Sequence, residues 1–199
     1  MSFELAIAFI LFSISISITP GAGNIALLGI SSRHGFNAGI PFVLGNALGI
    51  IVIMVAASAG LVSVLNLYPE LYFAMKLAGV GYLLYMAWGI ATATMDGDIE
   101  SNHSGVVSGV LIQLLNPKGW VASLTVFTQF INPANDYVSQ VATIISVMVG
   151  IGVLCMLVWA YFGTMLQKLL QSPKQMRVIN GCLGGSLAIV AVMMLGQAG

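Results

Sequence analysis

The sequence predicts an all-α integral membrane protein in which six transmembrane helices form two inverted three-helix repeats, with helices 1 and 4 broken near the membrane interior. Three observations carry that prediction. Of the 199 residues, 59% are hydrophobic and only 6% are charged, whereas about a quarter of a soluble domain is charged. The mean hydropathy is +1.02, and a soluble surface needs far more solvated groups than this chain can supply. At about 20 apolar residues per crossing, the chain has room for about six spans and no soluble catalytic domain. Finally, two of the apolar runs are interrupted by a proline that directly follows a good helix N-cap residue.

The runs cover about 3–30, 38–65, 70–94, 105–131, 138–167 and 174–197, separated by polar and turn residues. The first starts after Glu4 with no Lys or Arg ahead of it, so it lacks the basic region of a cleaved signal and is expected to stay in the mature protein. Its alternating stretch Phe12–Ile18 is too short for a barrel strand and has no counterpart elsewhere. On a helix, Ser13 and Ser17 share a face and can bond a neighbour. Glycines recur along the later runs: Gly35, Gly39, Gly45 and Gly49, then Gly79 and Gly81, Gly150 and Gly152, and Gly181, Gly184 and Gly185. Such residues let helix backbones approach closely, and glycine-lined faces are compatible with a homodimer. The chain reads as one membrane domain over 1–199, with repeat one at about 3–94 and repeat two at about 105–197.

Charge sets an expected orientation. Arg33 falls in the first connection and Lys168, Lys174 and Arg177 flank the fifth, while the opposite side has only Lys76. The positive-inside rule then places both termini outside; Asp96, Asp98, Glu100 and His103 make the third connection acidic, but acids weigh little in that rule. Six basic and six acidic residues give a formal net charge of zero, leaving no basic surface for nucleic acid and no acidic tail for a basic partner. Cys155 and Cys182 lie in apolar runs away from any CxxC or His-rich spacing and read as small buried hydrophobes. There is no Ser/His/Asp set, Cys/His pair or HExxH spacing, so neither an enzyme, a metal site nor a cofactor is expected.

The two breaks are the informative segments. They read Thr19-Pro20-Gly21-Ala22-Gly23-Asn24 and Asn116-Pro117-Lys118-Gly119. Thr19 and Asn116 are suitable N-caps, and proline is favoured at the first helical position, so each break is expected to start a new half-helix inside the membrane. Free N–H groups at such a start favour an anionic ligand. The breaks fall in the first helix of each half, and three helices per half invert the second copy, which is the plan of many secondary transporters with a midplane substrate site. At about 1.5 Å per residue, Pro117 lies about 18 Å into its run and Pro20 about 22 Å from Leu5, in a core about 30 Å thick. Lys118 is therefore the one ionisable residue expected deep in the membrane, where a charge is costly and marks function. Beside a half-helix start it would add positive charge for a substrate carboxylate, and Asn24, Asn46, Gln113 and Asn116 would serve an ammonium. The expected binding set is thus Thr19, Pro20, Gly21, Asn24, Asn46, Gln113, Asn116, Pro117 and Lys118.

The same residues resemble the LysE/RhtB family of amino-acid exporters. The likeness rests on Thr19-Pro20-Gly21, the Arg33/Gly35 connection, the Lys76–Tyr85 stretch through Trp88, and Leu114-Leu115-Asn116-Pro117-Lys118, in order along nearly the whole chain. It implies a multi-pass inner-membrane exporter of amino acids or close derivatives, driven by the proton gradient. Pro20 and Gly21, and Asn116, Pro117 and Lys118, would carry over as the family motif. The Ala87-Trp88-x-Ile90-Ala91 stretch resembles the cysteine/O-acetylserine subgroup. One departure concerns coupling: the family usually reads Pro-Gly-Pro followed by Asp or Asn, but here Ala22 and Gly23 stand at those positions and Asn24 follows. A carboxylate that could carry the proton is missing, leaving Lys118 or a substrate group. The alternatives are a passive channel, whose flux would ignore the gradient, and a non-transporting scaffold, in which the breaks are simple kinks.

Overall fold

The computed structural model describes residues 3–60, 68–92, 105–131, 136–169 and 172–196. Among them are eight helices and no strand: α1 (Phe3–Ile18), α2 (Ala22–His34), α3 (Phe36–Ser58), α4 (Pro69–Ala91), α5 (Val106–Leu114), α6 (Pro117–Phe130), α7 (Tyr137–Leu169) and α8 (Pro173–Gly196). Two breaks split the first and fourth apolar runs as the sequence predicts, bending α1 against α2 by 54° and α5 against α6 by 65°. By length and apolarity, α3 and Tyr137–Leu166 of α7 each suffice to cross a membrane, as does each bent pair taken together; Leu77–Ala91 and Arg177–Met193 are shorter apolar helices. The acidic connection with Asp96, Asp98, Glu100 and His103 lies outside the described residues.

The sequence places Arg33 in a loop, but Arg33 and His34 form the last turn of α2. The connection shrinks to Gly35, whose φ of 81° lies in the left-handed region that costs glycine nothing. A one-residue joint suffices because Gly35 N–H still donates to Ser31 O at 3.1 Å, closing α2 while α3 starts at once.

Helix faces explain how an apolar chain still defines an inside. Along α3, Phe42, Gly45, Asn46, Gly49 and Ile53 are buried, while Leu44, Leu48, Val52 and Val55 are exposed. A helix apolar all round is suited to lipid on one side and packing on the other. α3 and α5 pack backbone to backbone: a Cβ on Gly45 would collide with the Val106 carbonyl, and one on Gly109 with the Phe42 carbonyl. Not every glycine works this way. Among the described residues, Gly81, Gly150, Gly181 and Gly185 have nothing within 4 Å of the place a Cβ would occupy, so they mediate no close packing there.

Two apolar clusters result. One gathers Leu27 of α2, Phe42 of α3, Met86 of α4, Met156 of α7 and Leu187 of α8. The other gathers Phe9 of α1, Met54 of α3, Val126 and Phe130 of α6, and Met148 of α7, with the Phe9 and Phe130 rings 5.2 Å apart. α3 and α7 take part in both clusters, and the two breaks lie beside them.

Candidate binding cavity between the broken helices

α1 ends because Pro20 has no N–H to continue the ladder. Its last regular bond runs from Thr19 N–H to Ser15 O at 3.2 Å. Of the carbonyls then left without helical partners, those of Ser17, Ile18 and Thr19 are met by side chains. Asn24 Nδ2 donates to Ser17 O at 2.9 Å and Thr19 O at 3.0 Å. Trp159 Nε1, from α7, donates to Ile18 O at 3.1 Å. Lys118 Nζ, from α6, donates to Thr19 O at 3.1 Å. A backbone break in a membrane is tolerable only when its groups are satisfied by protein in this way.

The second break follows the expected scheme. Asn116 is the N-cap of α6, its side-chain oxygen accepts from Lys118 N–H at 3.1 Å, and Pro117 takes the first helical position. The free Leu114 carbonyl accepts from Trp120 Nε1 at 2.8 Å, so an indole closes this break as Trp159 closes the other. The first break departs from the scheme. Gly21, not Thr19, is the N-cap of α2, and no side chain caps it; Thr19 Oγ1 instead donates to Ser15 O at 2.6 Å. A threonine hydroxyl can bond the carbonyl four residues back as readily as cap a helix ahead, and here it completes α1. The first-turn N–H groups of α2 are consequently left without a side-chain cap, beside the cavity.

Lys118 spans the two breaks. It belongs to α6, its ammonium bonds the end of α1, and a Cβ on Gly21 would lie 3.5 Å from its Nζ. The negative end of α1 and this positive charge are complementary. Around them is a cavity of about 90 Å³, the volume of about three waters at about 30 Å³ each. Gly21, Asn24, Asn46, Gln113, Asn116 and Lys118 line it. Asn46 Nδ2 donates to Gln113 Oε1 at 3.4 Å, tying α3 to α5 across the lining. Of the other residues expected there, Thr19 contributes only its carbonyl to Lys118, whereas Pro20, which is exposed, and Pro117, which is buried, make the breaks without lining the cavity.

Sequence reasoning missed the apolar wall. Ile50 and Met54, one and two turns beyond the expected Asn46 on α3, and Met148, Gly152 and Met156 on α7 recur at four-residue spacing and line the cavity. That spacing puts each set on one helix face, but nothing in an apolar helix marks which face turns inward. Met156 belongs to one apolar cluster and Met54 and Met148 to the other, so the cavity is bounded by both. Lys118 is the only charged residue among the described residues that line it.

A family model described as LysE type translocator matches residues 14–198. Among characterised proteins, the cysteine/O-acetylserine efflux proteins of Escherichia coli strain K12 and of Shigella flexneri serotype 5b are each 25% identical to this chain over 178 residues, covering 88% of it and 91% of their own length. No solved structure matches.

Proposed function

The chain belongs to the family of LysE type translocators, and from that premise we propose that it is a secondary exporter of small amino acids or close derivatives, of the cysteine and O-acetylserine kind, across the bacterial inner membrane. It is a translocator, not an enzyme. The relatives named as cysteine/O-acetylserine efflux proteins support the direction and the substrate class. The observation that carries the reading is the position of Lys118, whose ammonium joins both helix breaks in a cavity the size of a small zwitterion.

In this reading the substrate carboxylate pairs with Lys118 and the uncapped first turn of α2. The bond from the ammonium to Thr19 O has one charged partner, whereas a carboxylate brings the opposite charge as well, so the carboxylate competes with Thr19 O for the ammonium. The substrate ammonium is held by the side-chain oxygens of Asn24, Asn46, Gln113 and Asn116. Six spans in two inverted repeats rock about the cavity to alternate its access. The breaks in the first span of each half, their similar bends of 54° and 65°, and the indole bond that closes each support that arrangement. Both termini lie outside. Coupling to the proton gradient runs through Lys118, the one ionisable side chain in the described lining, or through the substrate's own groups. A homodimer is supported by the open Gly181–Gly185 face of α8.

Efflux from proteoliposomes loaded with cysteine or O-acetylserine tests the proposal. A pH gradient is expected to drive efflux against a concentration gradient. Flux that never rises against a gradient and ignores an uncoupler would replace the exporter with a channel, and no flux at all would leave a scaffold.

A further inference from the structure

The cavity divides by chemistry. Its polar groups come from the two breaks, from Gln113 of α5, from Asn46 and from Ser123 of α6, while α7 contributes only Met148, Gly152 and Met156. An amino acid divides in the same way, into a charged head and a side chain. With the head at Lys118, the α7 face is left for the side chain. Resting on the export reading above, we infer that the cavity takes amino acids with a short, uncharged side chain lying along Met148, Gly152 and Met156, and that Gly152 sets the longest side chain carried.

Charge selects first. No carboxylate occurs among the described residues lining the cavity, and its one charge is the Lys118 ammonium. A cationic side chain would be desolvated without a counter-charge and would meet a like charge; an anionic one would compete with the head for a single lysine. Either leaves a buried charge unpaired, which is strongly unfavourable. Size selects next. Gly152 leaves a gap between two methionines on the same face, and the facing residue is Ile50: a Cβ on Gly152 would lie 3.4 Å from Ile50 Cδ1, an ordinary contact. The wall therefore accepts a methyl group without displacing backbone, and that methyl takes space from the substrate. The thioethers suit short apolar or sulfur-bearing side chains, since they are flexible and polarizable.

Counterflow into proteoliposomes, measured for alanine, cysteine, O-acetylserine, glutamate and lysine, tests this. The wild type is expected to carry the first three and to reject glutamate and lysine. Gly152→Ala is expected to lower the ratio of O-acetylserine to alanine flux about ten-fold or more, the discrimination one carbon is worth in an apolar pocket. Met156→Ala lengthens the same wall and is expected to raise that ratio, and it decides the matter should Gly152→Ala abolish all flux. Lysine carried as well as cysteine, or a ratio unmoved by the variants, would overturn the inference while leaving the export reading intact. Absence of wild-type flux for every amino acid would overturn the export reading and the inference with it.

Discussion

At the scale of single residues, the breaks are held by bonds that do different work at the two sites. Asn116 caps α6 in the expected way, so Asn116→Ala is expected to destabilise the purified protein by about 1 kcal/mol. Thr19 bonds backwards into α1 and caps nothing ahead of it. Thr19→Val should therefore stay within about 0.5 kcal/mol of the wild type, as substitutions away from caps and buried bonds do. Thermal unfolding in detergent measures both, and equal losses would contradict the assignment of the caps. Asn24 supplies two of the bonds to carbonyls freed by Pro20; Asn24→Leu is expected to cost about 1–3 kcal/mol by leaving them short of donors, in the same assay. The proline and asparagine of the second break were legible in the sequence because cap and first-turn proline are local chemistry. The role of Thr19 was not, because its hydroxyl had two competing carbonyl and N–H partners of similar worth and only the fold chooses between them.

Elements show where pattern stops being informative. The all-helical, apolar character and the location of both breaks could be read from the chain, since they depend on composition and proline. The inward faces of α3 and α7 could not: leucines, glycines and methionines surround both helices, and a helix facing lipid has no polar side to give its orientation away. Glycine is ambiguous for the same reason. Gly45 is closed in by the Val106 backbone, whereas Gly181 and Gly185 meet open space. Gly45→Val is expected to prevent stable accumulation in the membrane, because the colliding partner is backbone and cannot swing away, while Gly181→Val accumulates normally; quantitative immunoblotting of membranes checks the contrast. Cys182, expected from the sequence to be buried, is exposed at the flank of that α8 face, one residue after Gly181. If two copies meet there, mild oxidation of membranes gives a covalent dimer that Cys182→Ser abolishes. A chain that remains monomeric under oxidation would remove α8 as a dimer face.

For the whole molecule, the distribution of charge and the distribution of function coincide. Only 6% of the residues are charged, and one of them, Lys118, reaches from the start of α6 to the end of α1. The cavity it enters is bounded by both apolar clusters, so a change in how those clusters pack is felt there directly. A substrate that draws the ammonium from Thr19 O towards its own carboxylate would loosen the tie between the two breaks, which would couple binding to a rearrangement of the helices around the cavity. The central claim is therefore that Lys118 is the substrate's carboxylate partner, and efflux of cysteine from proteoliposomes bearing Lys118→Ala tests it most directly. Lys118 is half-buried and a hydrogen bond to a charged group is worth about 1.5–3 kcal/mol, so the account predicts efflux reduced by about ten-fold or more with the protein inserted at wild-type levels. Efflux at the wild-type rate from that variant would contradict it.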